Sequence, residues 1–302
     1  MNRAIRSAVF PVAGLGTRLL PATKSIPKEM LTIVDRPAIQ MVVDEAREAG
    51  IEHFVFVTGR GKSAIEDYFD VGFELEATLL AQAKHEALSI LADSRLAPGQ
   101  ASFTRQHAPL GLGHAVGCAR QLVGGEPFAL LLPDMIMDAR PGCLKEMMRV
   151  YDEQGGGNVV ALEEVAPKDV SRYGVAGFTR AASGAIRIDQ MVEKPSPGEA
   201  PSNFIISGRY LLQPEIFDLI GVSTPGAGGE IQLTDAMAVL MARQPFWGYK
   251  FEGATYDCGD KLGFLLANAA FGLAHEEIGD AFRQALLQLL SRKSPAAQRS
   301  AA

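Results

Sequence analysis

A glycine-rich loop and the cations that follow it are the residues of the sequence that most clearly could do chemistry. The loop Ala13-Gly14-Leu15-Gly16-Thr17-Arg18 comes directly after a short apolar segment, 7–12, so its backbone N–H groups can approach a phosphate or a base closely. Two further cations and two prolines that stiffen the chain lie in the same stretch: Lys24, Lys28, Pro21 and Pro27. Cations beside open backbone amides suit a polyphosphate, which an arginine can bind bidentately.

Two other phosphate-binding loops do not fit this segment. A dinucleotide-binding fingerprint needs a small residue where Leu19 stands, and the next predicted strand, which ends Val57-Thr58-Gly59, carries no acidic residue for a ribose. A Walker A loop, GxxxxGK[ST], does not occur in the segment. The residues alone leave open a tight strand-to-helix turn with solvated surface charges.

One carboxylate stands where an α/β sheet binds ligands. Asp134 follows the apolar segment 128–132, which reads as a central parallel strand. A carboxylate beside a nucleotide suits Mg²⁺, because this ion takes one or two protein oxygens and completes its shell with phosphates and waters. A helix N-cap or a turn is the alternative interpretation of a strand-end aspartate.

Polar side chains at other strand ends could bind a base and a sugar phosphate. Gln106 ends a predicted strand and Glu29 follows the glycine loop, and such side chains can read a pyrimidine edge. Glu193 can accept hydrogen bonds from sugar hydroxyls, and Lys194 offers a charge for a phosphate. Pro195 is expected to break the strand there, so that both side chains can face one ligand.

These segments resemble the sugar-1-phosphate nucleotidyltransferase family. The loop from Gly14 to Arg18 followed by Pro27-Lys28-Glu29-Met30 is similar to that family's signature, and the longer LPATKSIPKEM looks like the bacterial UTP–glucose-1-phosphate uridylyltransferases within it. Nine later segments match in order: VTGRGK at 57–62, RQ at 105–106, GLGHA at 111–115, LPD at 132–134, RYGV at 172–175, VEKP at 192–195, GRY at 208–210, IQLTD at 231–235 and YDCGDK at 256–261. Thr32, where the family usually has proline, is a departure beyond the site.

The resemblance implies a reaction and a set of site residues. The reaction is UTP plus α-D-glucose 1-phosphate giving UDP-glucose and pyrophosphate, with Mg²⁺ as the cofactor and no covalent enzyme intermediate. The implied residues are catalytic Arg18, Lys28 and Lys194; nucleotide-binding Ala13, Gly14, Gly16, Thr17, Glu29, Gln106 and Gly111; sugar-phosphate-binding Gly174, Glu193 and Lys194; and metal-binding Asp134 and Asp257. Without the family, Asp257 reads as a turn residue.

Three alternative functions remain open from the sequence. The same chemistry could use dTTP or another hexose 1-phosphate, or the protein could be a catalytically silent relative that binds nucleotide and modulates a partner. The intact Thr17-Arg18, Lys28, Asp134 and Lys194 argue against a silent copy. An unrelated dinucleotide-binding oxidoreductase is disfavoured by the failed fingerprint. His114 is expected to be structural, and Cys258 has no apparent histidine partner for a nucleophilic role.

Composition excludes several other classes of protein. The 302 residues, 47% apolar and 21% charged, are ordinary for a large soluble α/β unit, and a net charge of −6 without a basic tract disfavours binding to nucleic acid or a membrane surface. The three cysteines are far apart, which disfavours a disulfide framework or a zinc site. No signal peptide and no apolar run of ~20 residues is evident, so we expect a cytoplasmic location.

Alternating strand and helix patterns predict an α/β fold. We expect a Rossmann-like mixed, mostly parallel sheet flanked by helices, with an additional β portion whose strands are mixed or antiparallel. One domain, 1–292, would contain a nucleotide-binding part at about 7–135, a sugar-phosphate-binding part at about 136–260 and C-terminal helices at about 261–292, before a disordered tail at 293–302.

The sequence also predicts one long helix within the first half of the chain and two helices at its end. The segment 73–91 is expected to form one long amphipathic helix. The terminal helices are expected to be available for contact with another copy, since the resemblance implies a homodimer or homotetramer.

Overall fold

A nine-stranded mixed sheet is the frame of the molecule. The structure is a computed structural model that describes residues 3–181, 184–222, 226 and 229–291. The strands of this sheet and of two small two-stranded sheets are, in chain order, β1 Ser7–Pro11, β2 Thr32–Ile33, β3 Arg36–Pro37, β4 His53–Thr58, β5 Ala101–Arg105, β6 Phe128–Leu131, β7 Met135–Asp138, β8 Asn158–Glu164, β9 Gly174–Arg180, β10 Ile186–Glu193, β11 Phe204–Leu212, β12 Phe246–Lys250 and β13 Ala254–Asp257.

The sheet changes from parallel to mostly antiparallel pairing across its width. Its order is β5-β4-β1-β6-β11-β8-β12-β10-β9, with β2–β3 and β7–β13 as separate pairs. The neighbours β5–β4, β4–β1 and β1–β6 are parallel, as is β12–β8. The pairings β11–β6, β11–β8, β10–β12 and β10–β9 are antiparallel. The predicted α/β class and the mixed sheet are confirmed, and the carboxyl ends of β1, β4, β5 and β6 meet at one edge.

Helices cover both faces of this sheet. They are α1 Ala38–Glu48, α2 Ser63–Phe69, α3 Phe73–Ala81, α4 His85–Ser94, α5 Leu112–Cys118, α6 Arg120–Val123, α7 Cys143–Glu153, α8 Ile216–Val222, α9 Leu233–Met241, α10 Lys261–Ala274 and α11 Gly279–Ser291. Alternation along β1 separates the two apolar layers: Ala8 and Phe10 pack with α1 and α7, and Val9 packs with α5, α8 and α9. Within the described ranges, no helix has the length and apolar character that crossing a membrane requires.

The segment predicted as one long helix, 73–91, forms two helices instead. Between α3 and α4, Ala83 has a φ of +53°, and the N–H of Lys84 donates to the carbonyl of Leu79 at 3.0 Å. This is the backbone arrangement of a left-handed helix end. Every residue of these two helices lies in the described ranges, and none of them is buried. Core packing therefore does not hold the segment together as a longer helix. The prediction of a single helix is wrong for this reason.

A small pair of strands that the sequence analysis missed brings two carboxylates together. β7 runs antiparallel to β13, and Met135 pairs with Asp257 in this register. The N–H of Cys258 donates to the carbonyl of Asp134 at 2.7 Å. Because four-residue strands give little periodicity, the pair leaves almost no signal in the sequence. It nevertheless places Asp257 beside Asp134.

The pairing of β11 with β8 is interrupted at the level of the Asp134 turn. The register shifts between Ile206 and Tyr210, as in a β-bulge, and Gly208 has a φ of +86°. A Cβ on Gly208 would also come within 2.9 Å of Cγ of Met135, so glycine is required there by both conformation and space. The irregular segment carries Arg209 into the interior.

The guanidinium of Arg209 joins helix α1 to the Asp134 turn. This side chain is 0% exposed, and its Nη2 lies 2.7 Å from Oε2 of Glu45. Its Nη1 donates to the carbonyl of Leu132 at 3.2 Å, and Nη2 donates to that of Met135 at 2.9 Å. Glu45 Oε1 also accepts the N–H of Leu144 at 3.0 Å. One buried ion pair therefore holds both flanks of the turn that carries Asp134.

Replacing Arg209 by methionine should destabilise the fold severely. The change leaves the Glu45 carboxylate buried without its cation and removes the donors to two carbonyls, and breaking a buried pair from one side costs about 3–5 kcal/mol. Urea unfolding of Arg209→Met measures the loss, with Glu45→Gln as the milder variant if Arg209→Met does not fold. The control is Arg120→Met, whose exposed pair with Asp218 should contribute less than about 1 kcal/mol. Equal small losses for all three variants would contradict the structural role.

Candidate active site

The glycine loop turns tightly after β1 and folds back on the cations that follow. Gly16 has a φ of +66°, and its carbonyl accepts a hydrogen bond from Oγ1 of Thr23 at 2.8 Å. A Cβ on Gly16 would lie 3.2 Å from Thr23 and 3.3 Å from Cβ of Lys28. Short 3-10 turns at Thr17–Leu19 and Lys28–Met30 flank this contact. The loop therefore holds Lys28 against its own backbone, whereas Lys24 is exposed.

A cleft of about 440 Å³ opens over this loop. Eight of the predicted site residues line it: Ala13, Gly14, Gly16, Thr17, Lys28, Gln106, Gly111 and Asp134. Residues that the sequence analysis did not predict also line it: Pro11, Leu15, Pro109, Leu112, Ala115, Leu132 and Glu230. The cleft is thus lined by apolar side chains, by the backbone of the glycine loop and by three charged side chains, those of Lys28, Asp134 and Glu230. This is the composition of a nucleotide pocket, with apolar walls and a few polar groups that fix orientation.

Gln106 is held in place by its own neighbours. Its Nε2 donates to the carbonyl of Gly111 at 3.1 Å and lies 3.0 Å from Nδ1 of His114. Both contacts use Nε2, so neither of them engages the carbonyl oxygen Oε1. His114 therefore serves to orient Gln106, in agreement with the expectation that it is structural.

Lys28 and Asp134, which both line the cleft, form an ion pair. Nζ of Lys28 donates to Oδ2 of Asp134, and both side chains are mostly buried. Burial acts to raise the pKa of Asp134, but the charge and hydrogen bond of Lys28, together with a backbone hydrogen bond and the charge of Arg18, hold that pKa below its usual range. Burial acts to lower the pKa of Lys28, and the carboxylates of Asp134 and Glu29 reverse that effect, so its pKa is raised. Both groups are therefore charged at neutral pH.

Asp257 lies next to Asp134 and between two arginines. Arg18 and Arg172 each place a guanidinium nitrogen 3.7 Å from its Oδ2, and the N–H of Gly259 donates to its Oδ1 at 2.9 Å. Burial raises the pKa of Asp257, and the negative charge of Asp134 raises it further. Asp257 thus lies among charged groups of both signs.

One oxygen of each carboxylate lies close to Gly259, where a side chain would not fit. A Cβ on Gly259 would lie 2.9 Å from both Oδ2 of Asp134 and Oδ1 of Asp257, and 2.6 Å from Nη2 of Arg18. Two carboxylate oxygens close to one point are a donor set that Mg²⁺ accepts, provided that phosphate and water supply its other ligands. Within the part of the chain that the structure describes, no group of three or more His, Cys, Asp or Glu could hold a metal by itself. The donor set fits a cation that is bound together with a nucleotide.

A second cavity, of about 210 Å³, adjoins the cleft. The two share Leu132 and Asp134, so the Asp134 turn stands between them. The other residues that line the second cavity are Arg18, Met135, Arg172, Tyr173, Ile206, Ser207, Gly208 and Asp257. The site thus has a larger and a smaller compartment, with Asp134 at their junction and Asp257 in the wall of the smaller one.

The residues predicted to bind the sugar phosphate lie together at the ends of β9 and β10. Gly174 pairs with Glu193 across the two strands, and a Cβ on Gly174 would lie 2.9 Å from Oγ1 of Thr234 and 3.2 Å from Oε2 of Glu193. Thr234 donates to Oε2 of Glu193 at 2.6 Å, which orients the carboxylate. Lys194 leaves the strand with a φ of +44°, and the expected break in regularity before Pro195 is found.

Lys194 connects this group to the second cavity without lining it. Its backbone N–H donates to the carbonyl of Tyr173 at 3.0 Å, and Tyr173 lines the cavity. Its side chain is 46% exposed, and Nζ lies 3.4 Å from Oε1 of Glu193. Among the described residues that line either compartment, neither Lys194 nor Glu193 is included. The structure therefore brings them to the border of the site.

Glu29 does not line the cleft, in contrast to the other predicted nucleotide-binding residues. It is 2% exposed, and its Oε2 accepts from Nζ of Lys62 at 2.8 Å, behind the turn that carries Lys28. Oε1 has no hydrogen-bond partner among the described residues. Burial raises the pKa of Glu29, although Lys62 and Lys28 partly oppose this. In the structure its carboxylate supports the Lys28 turn and does not face the space over the loop.

Four residues at or beside the site were not singled out from the sequence: Lys62, Arg172, Thr234 and Arg209. Each stands inside one of the segments that carried the family resemblance. Their positions could therefore have been flagged, but their roles depend on partners far away in the chain. Thr234, for example, contacts Glu193, and Arg172 contacts Asp257 and Asp260.

A sequence family and several known proteins match this chain over most of its length. The sequence model of the nucleotidyl transferase family matches residues 8–272. A UTP–glucose-1-phosphate uridylyltransferase of Komagataeibacter xylinus is 45% identical over 262 residues, which are 87% of this chain and 92% of that protein.

Solved structures agree with the sequence comparison. A UTP-bound UGPase from Acinetobacter baumannii superimposes with a TM-score of 0.87 at 44% identity, covering 95% of this chain and all of that one. A UDP-glucose pyrophosphorylase complexed with UDP-glucose gives a TM-score of 0.79 at 41% identity, covering 89% of this chain and 98% of that one. With the family match spanning both compartments of the site, the chain belongs to the nucleotidyl transferase family.

Proposed function

We propose that the protein makes UDP-glucose and pyrophosphate from UTP and α-D-glucose 1-phosphate. The observation that carries the proposal is the junction of two compartments at Asp134, with Lys28 at the larger compartment and the Gly174–Glu193 pair beside the smaller one. A uridylyltransferase must hold a nucleoside triphosphate and a sugar phosphate with their reacting phosphates adjacent. The relatives whose names specify UTP and UDP-glucose support the assignment to these substrates.

The chemistry requires positioning more than acid–base catalysis. A phosphate oxygen of glucose 1-phosphate attacks the α-phosphorus of UTP in line; the bond from that phosphorus to the bridging oxygen breaks, and pyrophosphate leaves with the electron pair. The nucleophile is already an anion at neutral pH, so no general base has to remove a proton. The obstacle is the approach of several anions, which fixed cations in a shaped site relieve.

Three cations of this chain are placed to neutralise those anions. Lys28, pressed against the glycine loop, and Arg18, which is 56% exposed and free to reorient, are proposed to bind the β- and γ-phosphates. Lys194 is proposed to bind the phosphate of glucose 1-phosphate from the border of the smaller compartment. Glu193, oriented by Thr234, is proposed to accept hydrogen bonds from sugar hydroxyls, and the backbone of Gly174 is proposed to approach the sugar.

Asp134 and Asp257 are proposed to hold Mg²⁺ at the junction of the compartments. One oxygen of each lies close to Gly259, which supports this role. When bound, Mg²⁺ acts as a Lewis acid and neutralises negative charge on the phosphate oxygens. Lys28 keeps the pKa of Asp134 low, so its carboxylate is ionised and available as a ligand.

The uracil is proposed to lie over Ala13 and Gly14 with its edge toward Gln106. Gln106 is proposed to offer its Oε1 as an acceptor, since Nε2 is bound to Gly111 and His114. The ring nitrogen N3 of uracil carries a hydrogen and can donate a hydrogen bond to this oxygen. N3 of cytosine carries no hydrogen and cannot donate. A buried acceptor facing that nitrogen would remain unpaired, and this is how such a pocket discriminates.

Two further properties expected from the sequence stay predictions. A homodimer or homotetramer is supported by the exposed leucines on α10, Leu262, Leu265 and Leu266, which are spaced to share one helix face. The cytoplasmic location also stays a prediction, supported by the proposed use of UTP. The expected tail 293–302 lies outside the described residues.

Pyrophosphate release by the purified protein tests the function directly. UTP, dTTP, CTP, ATP and GTP are each combined with glucose 1-phosphate and Mg²⁺. We expect a dominant signal with UTP that EDTA abolishes. Preference for dTTP would keep the mechanism and change the nucleotide substrate. Repeating the assay with UTP and other hexose 1-phosphates tests the sugar in the same way. Protein that is folded and binds UTP but releases no pyrophosphate with any nucleotide would favour the regulatory alternative.

Replacing Lys194 by alanine should slow the reaction without weakening UTP binding. Loss of one fixed cation at a developing charge costs about 10²-fold in kcat or more. Steady-state kinetics with each substrate varied in turn separate the effects, and the KM for UTP should change little. The matched control is Lys168→Ala. Lys168 is an exposed lysine in the turn between β8 and β9, and this variant should behave as wild type. Near-normal turnover of Lys194→Ala would show that the assigned role is wrong.

Replacing Gln106 by leucine should reduce selectivity for uracil. The change removes the acceptor for the base N–H, so kcat/KM for UTP should fall by about 10- to 100-fold while the ratio of UTP to CTP activity falls with it. Parallel assays with UTP and CTP measure the ratio. Gln82→Leu, at an exposed position between α3 and α4, is the control. An unchanged ratio would contradict the proposed base contact.

A further inference from the structure

The wall that β11 contributes to the smaller cavity contains an unpaired hydroxyl. Ser207 is 1% exposed, lines this cavity, and has an Oγ with no hydrogen-bond partner among the described residues. A hydroxyl can both donate and accept, and leaving it buried and unpaired is unfavourable in the free protein. Such a group in a cavity wall is expected to have a partner in the ligand that fills the cavity.

The backbone around Ser207 holds this residue at the wall of the cavity. The pairing of β11 with β8 lapses between Ile206 and Tyr210, so Ser207 lies in the bulged segment. The carbonyl of Gly208 accepts the N–H of Leu132 at 2.9 Å, which fixes the segment beside the Asp134 turn. Bulges of this kind re-aim side chains next to functional sites. Ser207 is therefore held firmly at the cavity wall.

The groups opposite Ser207 indicate which part of a substrate reaches it. β11 and β9 pair antiparallel at Ile205 and Val175, each two residues along the chain from Ser207 and Tyr173, and both of these residues line the cavity. Tyr173 precedes Gly174 and accepts the N–H of Lys194. The side of the cavity occupied by Ser207 is thus continuous with the predicted sugar-phosphate residues, while Arg18 and Asp257 also line it.

We propose that the Ser207 hydroxyl binds a hydroxyl group of the hexose 1-phosphate and helps to select the sugar. The inference rests on the proposed function, since it takes the smaller cavity as the sugar compartment. A sugar hydroxyl supplies both a donor and an acceptor, so it satisfies a serine hydroxyl in either direction. Ser207 is then a specificity-determining residue that touches the substrate, in addition to Glu193.

The proposal predicts opposite effects of Ser207→Ala on stability and on sugar binding. Removing an unpaired buried hydroxyl should leave the melting temperature of the free protein unchanged or raised. The same change removes a substrate contact, so kcat/KM for glucose 1-phosphate should fall roughly fivefold to twentyfold, with the KM for UTP nearly constant. Thermal unfolding and steady-state kinetics of the one variant measure both effects.

Ser202→Ala is the matched control near the start of β11. Its hydroxyl donates to the carbonyl of Ala176 at 2.6 Å and accepts the N–H of Phe204 at 2.9 Å, and Ser202 does not line the cavity within the described residues. This variant should therefore lower the melting temperature and leave kcat/KM for the sugar phosphate unchanged. A purely structural role for Ser207 would make the two variants behave alike.

A substrate series identifies the hydroxyl that Ser207 binds. Glucose 1-phosphates that lack one hydroxyl, at C2, C3, C4 or C6, are assayed with wild type and with Ser207→Ala. For one analogue, the loss seen with wild type should shrink or vanish in the variant, because the contact is already absent. If all analogues lose the same factor with both proteins, or if the KM for UTP rises as much as that for the sugar, the proposal is overturned. Failure of wild type to form any UDP-sugar would instead overturn the proposed function.

Discussion

The fully buried guanidinium of Arg209 is the contact on which the geometry of the site depends. It binds Glu45 of α1 and the carbonyls of Leu132 and Met135, so it fixes both flanks of the turn that carries Asp134. A turn beyond the end of a strand has carbonyls that no ladder satisfies, and a buried carbonyl must find a donor. Arginine can serve two carbonyls and a carboxylate at once because its donors form a planar fork, which lysine lacks. The same turn leads into β7, whose pairing with β13 sets the place of Asp257.

The charged groups of the site are paired with one another before any substrate binds. Asp134 is paired with Lys28, and Asp257 lies between Arg18 and Arg172. These pairs differ in distance and in burial. Lys28 donates a hydrogen bond to Asp134, and both side chains are mostly buried. The two arginines are about half exposed, and their nearest nitrogens lie 3.7 Å from the carboxylate of Asp257. Exposed and longer pairs hold their partners weakly. The arginines can therefore turn toward phosphates at low cost, while Lys28 keeps Asp134 ionised in place.

The sequence predicted the parts of the site that depend on neighbours in the chain. The glycine loop with Lys28, and the place of Asp134 at the end of an apolar strand, follow from local pattern and strand periodicity. What could not be predicted depends on contacts between distant segments: the β7–β13 pair, the path of Arg209 into the interior, and the burial of Glu29 against Lys62. Glu29 shows the limit clearly, since an acidic residue after a phosphate loop reads as a ligand until Lys62 is found behind it. The break at Ala83 is the opposite case. The helical spacing of apolar residues continues across 73–91, but the helical backbone is interrupted at Ala83.

At some positions of this site one side chain favours both stability and function, and at others a side chain that favours function lowers stability. At Arg209 they agree, because the interactions that satisfy a buried cation also hold the turn that carries Asp134. At Ser207 they oppose, because an unpaired hydroxyl in a cavity wall destabilises the free protein and has value only when a ligand is present. Both residues belong to one bulged segment of β11, and Gly208 between them has a φ that other residues rarely adopt. A regular strand would have satisfied its backbone more fully on β8 and would have offered the site neither group in this arrangement. The irregularity of β11 is therefore the feature through which the sheet builds the smaller compartment.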